Sequence, residues 1–79
     1  MPYPLDVQVT ELNPDTAKAY VKGMMEEYGY GYRIDTCQMM EIDGQQICRV
    51  IGVHLGISGE HAMDWAVWIE SDGQLYGEW

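Results

Sequence analysis

The sequence predicts an α+β domain, with element order β-α-β-β-β-β and one helix packed across one face of an antiparallel sheet. Three observations lead there. Asp43-Gly44 stands between two alternating stretches, the strongest short hairpin signal in the chain. Asn13-Pro14-Asp15 opens a stretch with the three-four apolar spacing of a helix. Residues 63–70 alternate again and run into Ser71-Asp72-Gly73, a second turn. The chain of 79 residues makes one domain, 1–79.

Taken in order, Pro2 and Pro4 precede LDVQV, in which Leu5, Val7 and Val9 alternate with Asp6 and Gln8. That pattern predicts a half-buried strand, and the prolines suit a sheet edge. The helix is expected from Pro14 to Tyr28. Asn13 is a good N-cap, Pro14 fits the first helical position, and Asp15 favours the positive end of the dipole. Ala17, Tyr20, Val21, Met24 and Tyr28 form its expected buried stripe, and Gly29 and Gly31 end it.

The hairpin register follows from the Asp-Gly turn. Ile42 faces Gln45, Met40 faces Ile47, Gln38 faces Arg49, Thr36 faces Ile51, Ile34 faces Val53 and Tyr32 faces Leu55. Ile34, Ile51 and Val53 are expected to lie under Val21 and Met24. The opposite face then carries Arg33, Asp35, Cys37, Met39 and Glu41 against His54, Gly52, Val50, Cys48 and Gln46. Gly56, Ser58 and Gly59 break the second strand, so GISGEHA reads as a loop. In MDWAVWIE, Met63, Trp65, Val67 and Ile69 take one face, and Asp64, Ala66, Trp68 and Glu70 the other. A three-residue turn with Gly73 left-handed sets Ile69 beside Leu75, Val67 beside Gly77 and Trp65 beside Trp79, and Trp68 and Tyr76 pair on the opposite face.

The formal net charge is -9, from thirteen acids and four bases, and no Lys or Arg follows Arg49. Such a charge argues against binding bare nucleic acid or an anionic membrane, and for a basic partner. The N-terminal stretch lacks a basic start and an apolar run, and nothing approaches a membrane span, so a cytoplasmic location is expected. Cys37 and Cys48 are expected as reduced thiols. Their diagonal placement, ~7–8 Å apart between strands, exceeds the usual reach of a disulfide.

No motif carries chemistry, and the reading is of a non-enzyme without cofactor or metal. His54 and His61 flank a glycine loop without metal-ligand spacing. The cysteines sit mid-strand among acids, which dull a thiol. Gly29-Tyr30-Gly31 follows a helix instead of preceding one and so makes no phosphate loop. Tyr28, Tyr30 and Tyr32 lack the Lys and Arg that accompany base stacking. What remains is the second sheet face. Asp35, Glu41, Asp64, Glu70 and Glu78 surround Trp68 and Tyr76 there, and these seven are the expected partner-binding residues.

These acids, with Glu26, Glu27, Glu60 and Asp72, carry a resemblance in size, charge and class to the small acidic phage-encoded anti-CRISPR proteins. The similarity is to those that mimic DNA against type I surveillance complexes. The resemblance implies a non-enzymatic inhibitor in the host cytoplasm that occupies a Lys/Arg-lined groove in place of target DNA. Two other classes stay open. One is a homodimeric adaptor joined through the Trp68-bearing face. The other is a small enzyme or ligand-binding domain with a pocket between helix and sheet, since the α-β-β-β-β order resembles the cystatin-like arrangement.

Overall fold

A computed structural model describes residues 11–79. The expected strand over residues 5–9 lies outside them. The described elements are α1 (Pro14–Tyr28), β1 (Gly31–Ile42), β2 (Gln45–Gly56), β3 (Gly59–Ile69) and β4 (Leu75–Glu78). The strands form one antiparallel sheet in the order β1-β2-β3-β4. Helix α1 packs across one face of it, which makes the architecture α+β.

Both ends of α1 follow from local chemistry. The Asn13 side chain accepts the Thr16 N–H at 2.9 Å, and Thr16 Oγ1 accepts the Asn13 N–H at 3.0 Å. This reciprocal capping box satisfies two otherwise orphaned donors. Gly29 closes the helix at φ 80°, a left-handed conformation that costs glycine nothing. Ala17, Tyr20, Val21 and Met25 are buried. Met24 is only half-buried and Tyr28 is exposed, so the stripe turns toward Met25.

Asp43 (φ 53°) and Gly44 (φ 82°) make the first hairpin turn, and the expected register holds from Thr36↔Ile51 to Ile42↔Gln45. Beyond it the register shifts. A bulge between Ile34 and Thr36 leaves Asp35 unpaired, so Ile34 faces Gly52 and Tyr32 faces His54. The bulge also reverses parity along β1. Ile34, before it, and Cys37 and Met39, after it, all pack against the core.

The face assignment of the hairpin is opposite to the expected one. Cys48, Val50 and Gly52 are buried under α1, whereas Ile51 and Val53 point away from the helix and are half-buried. The cause lies in β3. Gly56 and Gly59 pair across a two-residue turn, Ile57-Ser58, so the expected loop is a tight hairpin. Its register sets Val50 beside Trp65 and Cys48 beside Val67. Met63, Trp65 and Val67 are the largest apolar set on β3 and must be buried. They therefore carry Cys48, Val50 and Gly52 inward with them. The small residues of β2 also leave room for Ala17 and Val21. Leu75 and Tyr20 complete the core, and Tyr20 meets Trp65 edge-on at 6.1 Å. The final turn matches expectation, with Ile69↔Leu75, Val67↔Gly77 and Trp68↔Tyr76, and Gly73 at φ 81°.

Candidate functional site

Alternation around the buried Met63, Trp65 and Val67 turns Glu60, Asp64, Ala66 and Trp68 to the face that α1 does not cover. Tyr76 lies opposite Trp68, and Glu78 opposite Ala66, on the same side. On β2 the same face carries Ile47, Arg49, Ile51, Val53 and Leu55, and on β1 it carries Met40 and Ile42. This surface therefore has two halves. Strands β1 and β2 give an aliphatic half, in which Ile42 is 47% and Leu55 49% exposed. Strands β3 and β4 give an acidic, aromatic half. Arg49 joins them, its guanidinium bound to both carboxylate oxygens of Asp64, with Nε to Oδ1 at 3.3 Å.

The aromatic anchors are held by neighbouring acids. Trp68 donates its indole N–H to Glu70 at 2.7 Å. The Tyr76 hydroxyl donates to Asp72 at 2.8 Å, and the same carboxylate accepts the Gln74 N–H at 2.9 Å. These two donors, the Gln74 amide first, hold the Asp72 carboxyl below its ordinary value. Asp72 in turn pushes the Tyr76 phenol above its usual range. Both side chains keep fixed orientations on a surface exposed to water.

Of the seven expected binding residues, Asp64, Trp68, Glu70, Tyr76 and Glu78 share this surface. Asp35 and Glu41 do not belong with them. Asp35 sits in the bulge on β1, an edge strand among the described residues, its carboxylate bound by Arg33 at 2.8 Å and lowered in pKa by that bond. Glu41 pairs with Gln46 on the helix side, at the far end of the first hairpin. Cys37, Met39, Cys48 and Val50, expected on the binding face, lie on the helix side as well.

A second cluster gathers at the helix C-terminal end. Trp79 stacks between Trp65 at 5.3 Å and Tyr28 at 5.8 Å, while His54 meets it edge-on at 4.9 Å. His54 and His61 stack at 5.4 Å, and His61 Nε2 bonds Ser58 Oγ at 2.9 Å. The sequence signal for Trp79 was its place beyond Gly77, in register with Trp65. Among the described residues no group of His, Cys, Asp and Glu is set to hold a metal ion. An open groove of about 610 Å³ lies between the helix start and the first hairpin, lined by Leu12, Met39, Gln45, Gln46 and Ile69 with Glu11 and Gly44. Among the described residues that line it, Glu11 is the one ionisable side chain. No helix of the described residues is long and apolar enough to cross a membrane. No protein-family model matches the chain, and neither a curated protein nor a solved structure is significantly similar to it.

Proposed function

We propose that the protein is a non-enzymatic binding module that presents its uncovered sheet face to a basic surface of a nucleic-acid-binding protein. The observation that carries this reading is the acidic half of that face. Asp64, Glu70, Asp72 and Glu78 lie on it with Trp68 and Tyr76, Glu60 stands at the far end of β3 beside Leu55, and the two arginines of β1 and β2 are already neutralised by Asp35 and Asp64. Aromatic side chains with fixed orientation are preferred anchors, and like-signed rim charges steer encounter with a partner of opposite sign. The aliphatic half adds apolar contact that a nucleic acid does not offer, so the partner's groove should be flanked by apolar residues. Competition with DNA at such a groove, the anti-CRISPR mode, is the proposed consequence.

A second reading uses the same face for a homodimer. The exposed Ile42 and Leu55 favour it. The net charge of -9 on each copy opposes it. Sedimentation separates the two readings, since a concentration-independent monomer excludes the dimer. The decisive experiment is displacement of target DNA from a purified type I surveillance complex at several salt concentrations. Charge complementarity requires displacement that weakens steeply as salt rises. Equal DNA binding with and without the protein rejects that partner.

A further inference from the structure

We propose that Cys37 and Cys48 form a reversible dithiol–disulfide site that staples β1 to β2 beneath the start of α1. Both are free thiols, and their Sγ atoms are 3.1 Å apart. Closing to a bond of ~2.05 Å needs an approach of only about 1 Å more. The register makes the pair diagonal, because Cys37 faces Val50 and Met39 faces Cys48. On the helix-side face the two side chains nonetheless lean together across the ladder.

The two thiols differ in a way that sets an order of events. Cys37 is half-exposed, and its Sγ lies 3.6 Å from the Pro14 carbonyl oxygen. Cys48 is fully buried, and its thiol is pushed up to about 12 by burial first and by the bond to Cys37 second. A small oxidant therefore meets Cys37. With a low-molecular-weight disulfide, Cys37 loses its proton, bonds to one sulfur of the reagent and releases the other as a thiol. Cys48 then gives up its proton and attacks the Cys37 sulfur, releasing the second thiol. In sum the protein loses two hydrogens and the reagent is reduced to two thiols, so atoms and electrons balance. Contact between the sulfurs compensates for the protonated state of Cys48, because no diffusion separates the two steps.

The site has structural consequences. β1 is an edge of the described sheet, bonded only to β2 and interrupted by the bulge at Asp35. A bond from Cys37 to Cys48 fixes that edge and removes the thiol donor from the Pro14 carbonyl. The oxidised chain should melt at a higher temperature than the reduced one.

The test equilibrates the whole folded chain in buffers of glutathione and glutathione disulfide, then quenches with an alkylating reagent and measures mass. The expected product lacks two hydrogens, carries no glutathione, remains monomeric and returns to the dithiol on addition of dithiothreitol. Cys48→Ser should stop at a stable glutathione adduct on Cys37. Cys37→Ser should stay unmodified until denatured. Accumulation of the Cys37 adduct in the parent chain, a disulfide-linked dimer, or no reaction across the range would each overturn the proposal.

Discussion

The carbonyl oxygen of Arg33 sits over Gly52, where an ideal Cβ would come within 1.9 Å of it. That approach is backbone against backbone, so no rotamer change relieves it. It occurs where the β1 bulge brings Arg33 and Ile34 onto β2. Gly52→Ala should therefore destabilise the fold by ~1–3 kcal/mol, the range for forcing atoms into a packed site. Urea unfolding checks this, and a change below half a kcal/mol would mean that the bulge opens freely.

The face assignment gives a second prediction. Met63 is 1% exposed and packs among Met25, Val50 and Trp65. Met63→Ala should cost ~2–5 kcal/mol through lost burial and the cavity left behind. Ile51, on the uncovered face and half-buried, should cost less than half of that as Ile51→Ala. A reversed order would return Ile51 and Val53 to the core.

The hairpins explain which parts of the sequence were legible. Asp43-Gly44 and Ser71-Asp72-Gly73 carry turn chemistry that fixes register locally, and both registers read correctly near the turn. The helix ends were equally local. The face of β2 was not. Alternation gives β2 two apolar faces, Ile47/Ile51/Val53/Leu55 and Cys48/Val50, and the larger set looks like the core. The decision belongs to the β2–β3 register, hence to a turn hidden in Gly56-Ile57-Ser58-Gly59. Neither Ile57 nor Ser58 is a typical residue for a two-residue hairpin loop. The bulge at Asp35 compounded the difficulty, since strict alternation places Ile34 opposite to Cys37. Asp64, Trp68, Tyr76 and Glu78 share one face, as their alternation predicts, because β3 and β4 alternate cleanly. Glu41 leaves that face because the hairpin is reversed, and Asp35 lies apart from the others in the β1 bulge.

The Asp72–Tyr76 pair predicts two opposite pH effects. Asp72 is lowered in the folded chain, by the Gln74 amide and then by Tyr76. Its contribution to the last turn is therefore present at neutral pH and fades as acid protonates it. Tyr76 is raised from 10.0, chiefly because its protonated hydroxyl donates to Asp72. Its contribution is present below its unfolded pKa and is lost as pH rises through the folded one. Ultraviolet titration should show two tyrosines ionising late, Tyr76 and Tyr20, the latter raised chiefly by burial, and Asp72→Asn should bring only the Tyr76 transition back toward the ordinary range. An unchanged titration in Asp72→Asn would show that the hydrogen bond does not form in solution.

The last prediction separates the two kinds of residue on the uncovered face. Glu70 lies just beyond the end of β3 and accepts the Trp68 indole N–H. Trp68 is half-buried between that acid and Tyr76. Glu70→Lys reverses a rim charge, and rim charges act mainly on encounter, so association with a basic partner should slow and dissociation should change little. Trp68→Ala removes an anchor, so dissociation should quicken while association stays near the parent rate. Glu70→Lys also deprives the indole of its acceptor, so Trp68→Phe is the control that removes the N–H while keeping most of the ring contact. It should dissociate at a rate between the parent and Trp68→Ala. Rates measured by surface plasmon resonance at two salt concentrations give the comparison, with circular dichroism to verify that each variant keeps the fold. Raised salt should shrink the association gap between the parent and Glu70→Lys, because screening acts on long-range steering, and should leave the Trp68→Ala dissociation defect in place. If all three variants bind like the parent, the sheet face is not the interface. The exposed aromatics Tyr28, Tyr30 and Trp79, with Glu26 and Glu27 nearby in the chain, then become the surface to vary.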